Sequence, residues 1–179
     1  MNEIDVIRDI SRKFEQVGIP FMLTGSMTMN YYAQPRMTRD IDVVVAIGAK
    51  DVESIMRLFG ADYYVSGESV RESVACESMF NLIHLESVIK VDCIVLKNNE
   101  YRRTEFERRQ KITILDFTTW IVSKEDLIIS KLFWAKDSHS ELQLRDVKNL
   151  LATGFDVSYL DRWTQALGLE KLMQECWHD

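Results

Sequence analysis

No stretch of this chain approaches the length of apolar sequence needed to cross a membrane. The segment MNEIDVIRD is charged from residue 3 and lacks the apolar core of a secretory leader, which predicts a cytoplasmic protein with no membrane partner. Cysteine is scarce. Cys76, Cys93 and Cys176 are odd in number and lack metal-site spacing, which argues against a disulfide framework and predicts reduced thiols. Basic excess is also missing: a net charge of −6 excludes a large non-specific nucleic-acid surface, while leaving room for one RNA end at a local basic patch. What is present is ordinary globular material, 46% hydrophobic and 28% charged. At 179 residues it is long enough for a proper core in one domain, or one domain with a small appendage.

The stretch that organises the chain runs from Phe21 to Ala46. An apolar strand, Phe21-Met22-Leu23, feeds a Thr24-Gly25-Ser26 turn, and a short helix is expected from Met27 to Ala33. A basic loop with Pro35, Arg36, Thr38 and Arg39 leads into a second strand that opens on two acids, Asp40-Ile41-Asp42, before Val43-Val44-Val45. Strand side chains alternate, so Asp40 and Asp42 share one side and Ile41 and Val43 the other. Two carboxylates at the mouth of a buried strand repel each other and resist desolvation, and a divalent metal resolves both problems. Gly25 allows close backbone approach, and Ser26 reads as a helix N-cap beside free N–H groups able to receive a phosphate. Phosphate donors and metal-binding acids on consecutive elements are what transfer from a nucleoside triphosphate requires.

Met79 to Leu96 reads as a β-hairpin that turns at Glu86-Ser87. In its second strand, beginning at Val88, Lys90, Asp92 and Ile94 share a face. Asp92 is either one half of an ion pair with Lys90 on a solvated face or part of an acidic site. His84 reads as a hydrogen-bonded structural histidine. The first segment, with Ile4, Ile7, Ile10, Phe14 and Val17 at helical spacing, is a packing helix stopped by Gly18 and Pro20. Helices are also expected over residues 51–59 and 68–77, with a short strand at Tyr63-Tyr64-Val65 between them. The basic run from Lys97 to Gln110, interrupted by Glu100, Glu105 and Glu107, reads as an exposed helix laced with ion pairs, with the border of a substrate cleft as the alternative.

Residues 112–122 are β-rich, and Ser123-Lys124-Glu125-Asp126 is a capping box that opens a helix. In that helix Lys131 interrupts an apolar stripe, either snorkelling to water or emerging in a cleft. In the next, about residues 140–153, Asp146 interrupts another and needs a partner, for which Lys131 or Arg145 would serve. Helical spacing resumes at Asp156, broken by Gly168, as expected of a helical subdomain or a dimer contact.

Gly25-Ser26 followed by Asp40-Ile41-Asp42 among apolar neighbours resembles the glycine-serine and Asp-x-Asp motif of the DNA polymerase β-like nucleotidyltransferase superfamily. Within it, the run from Pro35 to Asp42 looks like the minimal bacterial nucleotidyltransferases, including the nucleotidyltransferase-like toxins of abortive-infection systems. Val91-Asp92-Cys93 fits those proteins' third acid. Lys131 and Arg145-Asp146 match a helix lysine and an Arg-Asp pair on the following helix, while Asn149 stands where those relatives repeat an acid. The region from Val122 to Leu150 is also similar to small antibiotic nucleotidyltransferases of the lincosamide and aminoglycoside type.

The resemblance implies an α/β (α+β) nucleotidyltransferase fold. We expect a mixed sheet of about five strands flanked by helices over residues 1–122, and a helical C-terminal subdomain over residues 123–179. It implies Mg2+ (or Mn2+) held by Asp40, Asp42 and Asp92, with Asp92 also helping to deprotonate the attacking hydroxyl. A nucleoside triphosphate would be bound by Thr24, Gly25 and Ser26, with Arg36, Arg39, Lys131 and Asp146 around it. The acceptor would be a hydroxyl of an RNA end, a protein or a small molecule; an antitoxin-like partner accompanies the toxin reading, and a homodimer would be formed through the apolar stripes after Asp156. The alternatives are an antibiotic nucleotidyltransferase and a nucleotide- or partner-binding module without transfer. The acids and Lys131 with Asp146 are expected to face each other across a cleft.

Overall fold

The computed structural model describes residues 1–138 and 140–177. In chain order its elements are α1 (Glu3–Gln16), β1 (Phe21–Thr24), α2 (Gly25–Tyr32), β2 (Ile41–Val45), α3 (Val52–Phe59), β3 (Tyr63–Tyr64), α4 (Gly67–Cys76), β4 (Met79–His84) and β5 (Lys90–Val95). They continue with α5 (Glu100–Glu107), β6 (Gln110–Ile114), β7 (Phe117–Ile121), α6 (Lys124–Ser138), α7 (Glu141–Leu151), α8 (Val157–Leu167) and α9 (Glu170–Trp177). The strands form one mixed sheet in the order β3-β4-β5-β2-β1-β7-β6. At its centre β1 runs antiparallel to β2, with Thr24 opposite Asp42, and β2 runs parallel to β5, with Asp42 opposite Asp92.

The sheet has seven strands rather than the five expected. The segment read only as β-rich is a hairpin, β6 with β7, which reverses at Leu115-Asp116 with Leu115 at φ +53°. That left-handed position is normally marked by Gly or Asn, and here Asp116 alone of the two turn residues carries a turn preference. The strand carrying Asp92 begins at Lys90 rather than Val88, which has φ +56° and belongs to the preceding turn.

Alternation along the central strands divides the interior in two. Ile41, Val43 and Val45 of β2, with Val91, Cys93 and Val95 of β5, face one side, where Phe14 of α1 and Phe59 of α3 complete the core. Met22, Val44 and Val122 face the other and share a core with α5 through Tyr101 and Phe106, and with α6 to α9 through Leu127, Leu132, Val147 and Trp163. Asp42 and Asp92 fall in the second set. A one-residue slip of β2 would turn both Asp42 and Val44 into the first, wholly apolar layer, so the register that fills the core also fixes which side carries the acids.

Two local expectations are met in altered form. Asp126 N–H donates to Ser123 Oγ at 3.3 Å, but the Asp126 carboxylate accepts from the Ser123 hydroxyl at 2.6 Å and from Arg108 Nε at 3.1 Å instead of reaching the backbone. Helix α5 is not an exposed ion-pair helix, because Tyr101, Glu105 and Phe106 are buried. His84 is structural, its Nδ1 bonded to Ser87. Among the described residues Cys76, Cys93 and Cys176 form no disulfide. Among the described residues no helix is long and apolar enough to cross a membrane.

Candidate active site

A cavity of about 390 Å³ lies between the second face of the sheet and helices α5, α6 and α7. Its polar end is built from the β1–α2 junction and the first residues of β2 and β5. Gly25, at φ +68°, turns the chain from β1 into α2. A Cβ at this position would come within 2.0 Å of Asp42 Oδ2, so only glycine lets the helix start pass over that carboxylate. Ser26 is not the N-cap. It lies inside the first turn of α2, whose cap position, Thr24, supplies no side-chain hydrogen bond. The first-turn N–H groups are thus left for another acceptor at the positive end of the helix.

Replacing Gly25 with Ala is therefore expected to destabilise the protein by at least about 1–2 kcal/mol from the left-handed backbone alone. Displacement of the Asp42 carboxylate should reduce catalysis with it. Urea unfolding measures the first effect and a transfer assay the second; wild-type values for both would contradict this account of the turn.

Asp42 and Asp92 are Cα partners on adjacent parallel strands. Burial, then Asp92, then Asp40 push the Asp42 pKa up from 3.8 to about 6, against the opposing pull of Lys131 and Lys90. Asp92 is almost wholly buried, and its Oδ1 has no hydrogen-bond partner among the described residues. Its Oδ2 accepts from Lys90 Nζ at 3.0 Å, and the same ammonium stands 4.0 Å from Asp40 Oδ1. The expected pairing with Lys90 is present, but on a buried face at the cavity wall rather than on a solvated one. The Asp40 side chain is 67% exposed.

Lys90 thus stands between Asp92 and Asp40, and no three His, Cys, Asp or Glu side chains among the described residues stand poised as a metal centre. The donor set nonetheless suits a hard divalent cation. It consists of carboxylates, one buried oxygen is unused, and the mutual repulsion that raises Asp42 would be relieved. Asp42 and Asp92 would hold such an ion, with Asp40 joining by movement of an exposed side chain.

The wall opposite the acids is an ionic triad. Asp146 on α7 accepts from Arg36 Nε at 3.0 Å and Nη2 at 2.9 Å, and from Lys131 Nζ of α6 at 2.7 Å. Lys131 also donates to Gln143 Oε1 at 3.0 Å and is only 4% exposed, so it neither snorkels to solvent nor pairs with Asp146 alone. Burial raises Asp146, but the bonds from Arg36 and Lys131 outweigh it and hold the carboxyl below the usual range. Arg36 reaches on to Ser26 Oγ at 2.5 Å, and Asn30 of α2 pins its backbone by donating to Arg36 O and accepting from Arg36 N–H.

Thr24, Gly25, Ser26, Arg36, Asp40 and Lys131 all line the cavity with Asp42 and Asp92. Two expected residues do not. Arg39 is exposed and lies off the cavity, which Thr38 and Asp40 on either side of it do line. Asp146 sits behind Lys131 and Arg36; of the two cations expected for it, Lys131 binds it and Arg145 does not, and Arg36 is a partner the spacing did not suggest. At the far end of the cavity stand Arg102 and Glu105, from the basic run for which a cleft border was one of two readings, together with Ser130 and Trp134, which sequence reading did not single out. The i, i+3 spacing of Arg102 and Glu105 was the one available signal, and it is common on exposed helices.

No family model matches the chain, and no curated protein matches it in sequence. Solved structures do match in fold. An antigenic nucleotidyltransferase-like protein from Paracoccidioides brasiliensis superposes with a TM-score of 0.58 at 12% identity, covering 98% of this chain and 96% of that one. Antibiotic-resistance factor ANT(2'')-Ia gives 0.63 at 13% identity over 98% and 96%. Lincosamide antibiotic adenylyltransferase LnuA, solved with lincomycin bound, gives 0.56 at 19% identity over 84% and 96%. The chain has the fold of the nucleotidyltransferase superfamily.

Proposed function

We propose that the protein is a metal-dependent nucleotidyltransferase that moves a nucleoside monophosphate from a nucleoside triphosphate to a hydroxyl acceptor and releases pyrophosphate. The single observation that carries this reading is the pairing of Asp42 and Asp92, side by side on parallel strands and destabilised by each other, beneath an uncapped helix start at Gly25. A divalent cation bound there would neutralise triphosphate charge and lower the pKa of the attacking hydroxyl. The remaining roles fall to the chain itself. First-turn N–H groups at Gly25 and Ser26 receive phosphate oxygens. Arg36, aimed at Ser26 by Asp146, and Lys131, fixed by Asp146 and Gln143, supply positive charge opposite the acids. Asp92, with one oxygen unspent, accepts the acceptor's proton. The acceptor oxygen then forms a bond to the α-phosphorus as the bond to the pyrophosphate oxygen breaks, and positioning with charge neutralisation accounts for most of the acceleration.

The test is incubation with Mg2+ or Mn2+ and each of four α-labelled nucleoside triphosphates, using total RNA, a cell lysate and aminoglycoside or lincosamide antibiotics as acceptors. Label should appear in one acceptor class and vanish with Asp40→Ala plus Asp42→Ala. A labelled RNA or protein band would favour the toxin-type role with its antitoxin partner, and a labelled antibiotic the resistance role. Nucleotide binding with no transfer to any acceptor would move the reading to a binding module.

A further inference from the structure

The face that carries the acids continues as an apolar floor. Beyond Asp42 comes Val44, and beyond Asp92 come Ile94 and Leu96, all lining the cavity, with Leu127 and Trp134 of α6 as its roof. Leu96 lies four strand residues past Asp92, roughly 13 Å at the rise of a β-strand. That is about the span of a nucleoside laid with its phosphate at the acids. The slot is apolar along its middle, so it suits a flat ring rather than a charged group.

Its far end closes on Arg102, Glu105 and Ser130. Arg102 Nη1 donates to Glu105 Oε2 at 2.8 Å and to Ser130 Oγ at 2.9 Å, and Ser130 Oγ donates to Glu105 Oε1 at 2.7 Å. Both carboxylate oxygens and the hydroxyl are thereby engaged. Glu105 is 2% exposed, and its charge neutralises the guanidinium beside it. Arg102 Nε and Nη2 have no hydrogen-bond partner among the described residues, and the guanidinium is further seated against the Tyr101 and Phe133 rings. The fork is therefore fixed, charge-compensated and donor-only. A neutral pair of adjacent acceptors suits it better than a phosphate, for which the nearby Glu105 carboxylate is a deterrent.

We propose that Arg102 selects the nucleotide by its base, favouring one that presents two adjacent hydrogen-bond acceptors, guanine through O6 and N7 or cytosine through O2 and N3, over adenine. Adenine pairs each ring acceptor beside its amino group with a donor, which would meet the donors of Arg102. This inference rests on the nucleotidyltransferase reading above.

Calorimetry with Mg2+ and GTP, CTP, UTP, ATP and base-free tripolyphosphate tests it, on the wild type, on Arg102→Lys, and on Arg102→Met with Glu105→Gln. The lysine variant keeps a cation beside buried Glu105, and the double variant removes both charges, so one folding failure does not stop the experiment. Wild-type protein should bind GTP and CTP about tenfold or more tightly than ATP. In both variants that preference should shrink to about twofold, with tripolyphosphate bound as before. ATP bound by the wild type as tightly as GTP and CTP overturns the proposal, as does a preference that survives both substitutions. If the variants change the use of an acceptor instead, the slot belongs to the acceptor and the proposal also falls. Wild-type protein that binds neither tripolyphosphate nor any triphosphate would remove the nucleotidyltransferase reading with it.

Discussion

Asp42→Asn is expected to cut transfer by at least about 10²–10³-fold, the scale of losing one well-placed charge-stabilising group, and at the same time to stabilise the metal-free protein. Both effects come from one cause. The Asp42 carboxylate is partly buried beside Asp92 and Asp40, which together with burial raise its pKa from 3.8 to about 6. Below about pH 3.8 the carboxyl is protonated whether the chain is folded or not, and the variant gains nothing. As the pH rises through about 6, the folded wild type must carry a charge its surroundings resist, so stability is lost that the amide retains. The gap should open between these values and reach about 1–3 kcal/mol above pH 7. Urea unfolding in EDTA at pH 4.5 and pH 8 measures it, and added Mg2+ should narrow it by stabilising only the wild type. An Asn variant that is less stable than wild type at pH 8 without metal would show that Asp42 is held by contacts the repulsion argument ignores.

The second large effect concerns Asp146. Asp146→Ala leaves Lys131, 4% exposed, with only Gln143 as a partner, and frees Arg36 from the group that aims it at Ser26. Breaking a buried ion pair by removing one member costs about 3–5 kcal/mol, because the surviving charge remains desolvated. Removing both charges should cost far less, so Lys131→Met with Asp146→Leu is expected to regain most of the loss while transfer stays low in both proteins. Chemical unfolding and initial rates, compared across the three proteins, separate the contributions. Should the double variant transfer at the wild-type rate, the triad would be scaffolding only.

The legible parts of this protein were those governed by local rules. Alternation along residues 40–45 and 90–95 places Asp42 and Asp92 on one face because a strand has period two, and neither a loop nor a helix elsewhere can alter that. Gly25 was readable as the turn from a strand into a short helix, although the cap position proved to be Thr24 and not Ser26. The hairpin of β6 and β7 was not readable, since its left-handed residue is Leu115, a side chain that carries no turn preference. The burial of Glu105 was hidden for a related reason: an Arg and a Glu three apart look the same on a solvated helix and at the blind end of a cavity.

By itself, then, the sequence determined the paired acids, the glycine before them, the apolar stripes and the two interrupting charges, Lys131 and Asp146, since each follows from spacing along one element. Tertiary structure alone decided which charges meet. Asp146 binds Arg36 from 110 positions away rather than its neighbour Arg145, Lys90 stands between Asp92 and Asp40, and α5 meets α6 to join Arg102 to Ser130. Periodicity states which face of an element is buried, but a partner is chosen by how those faces pack, and in a low-dielectric interior the packed distance decides which ion pairs form.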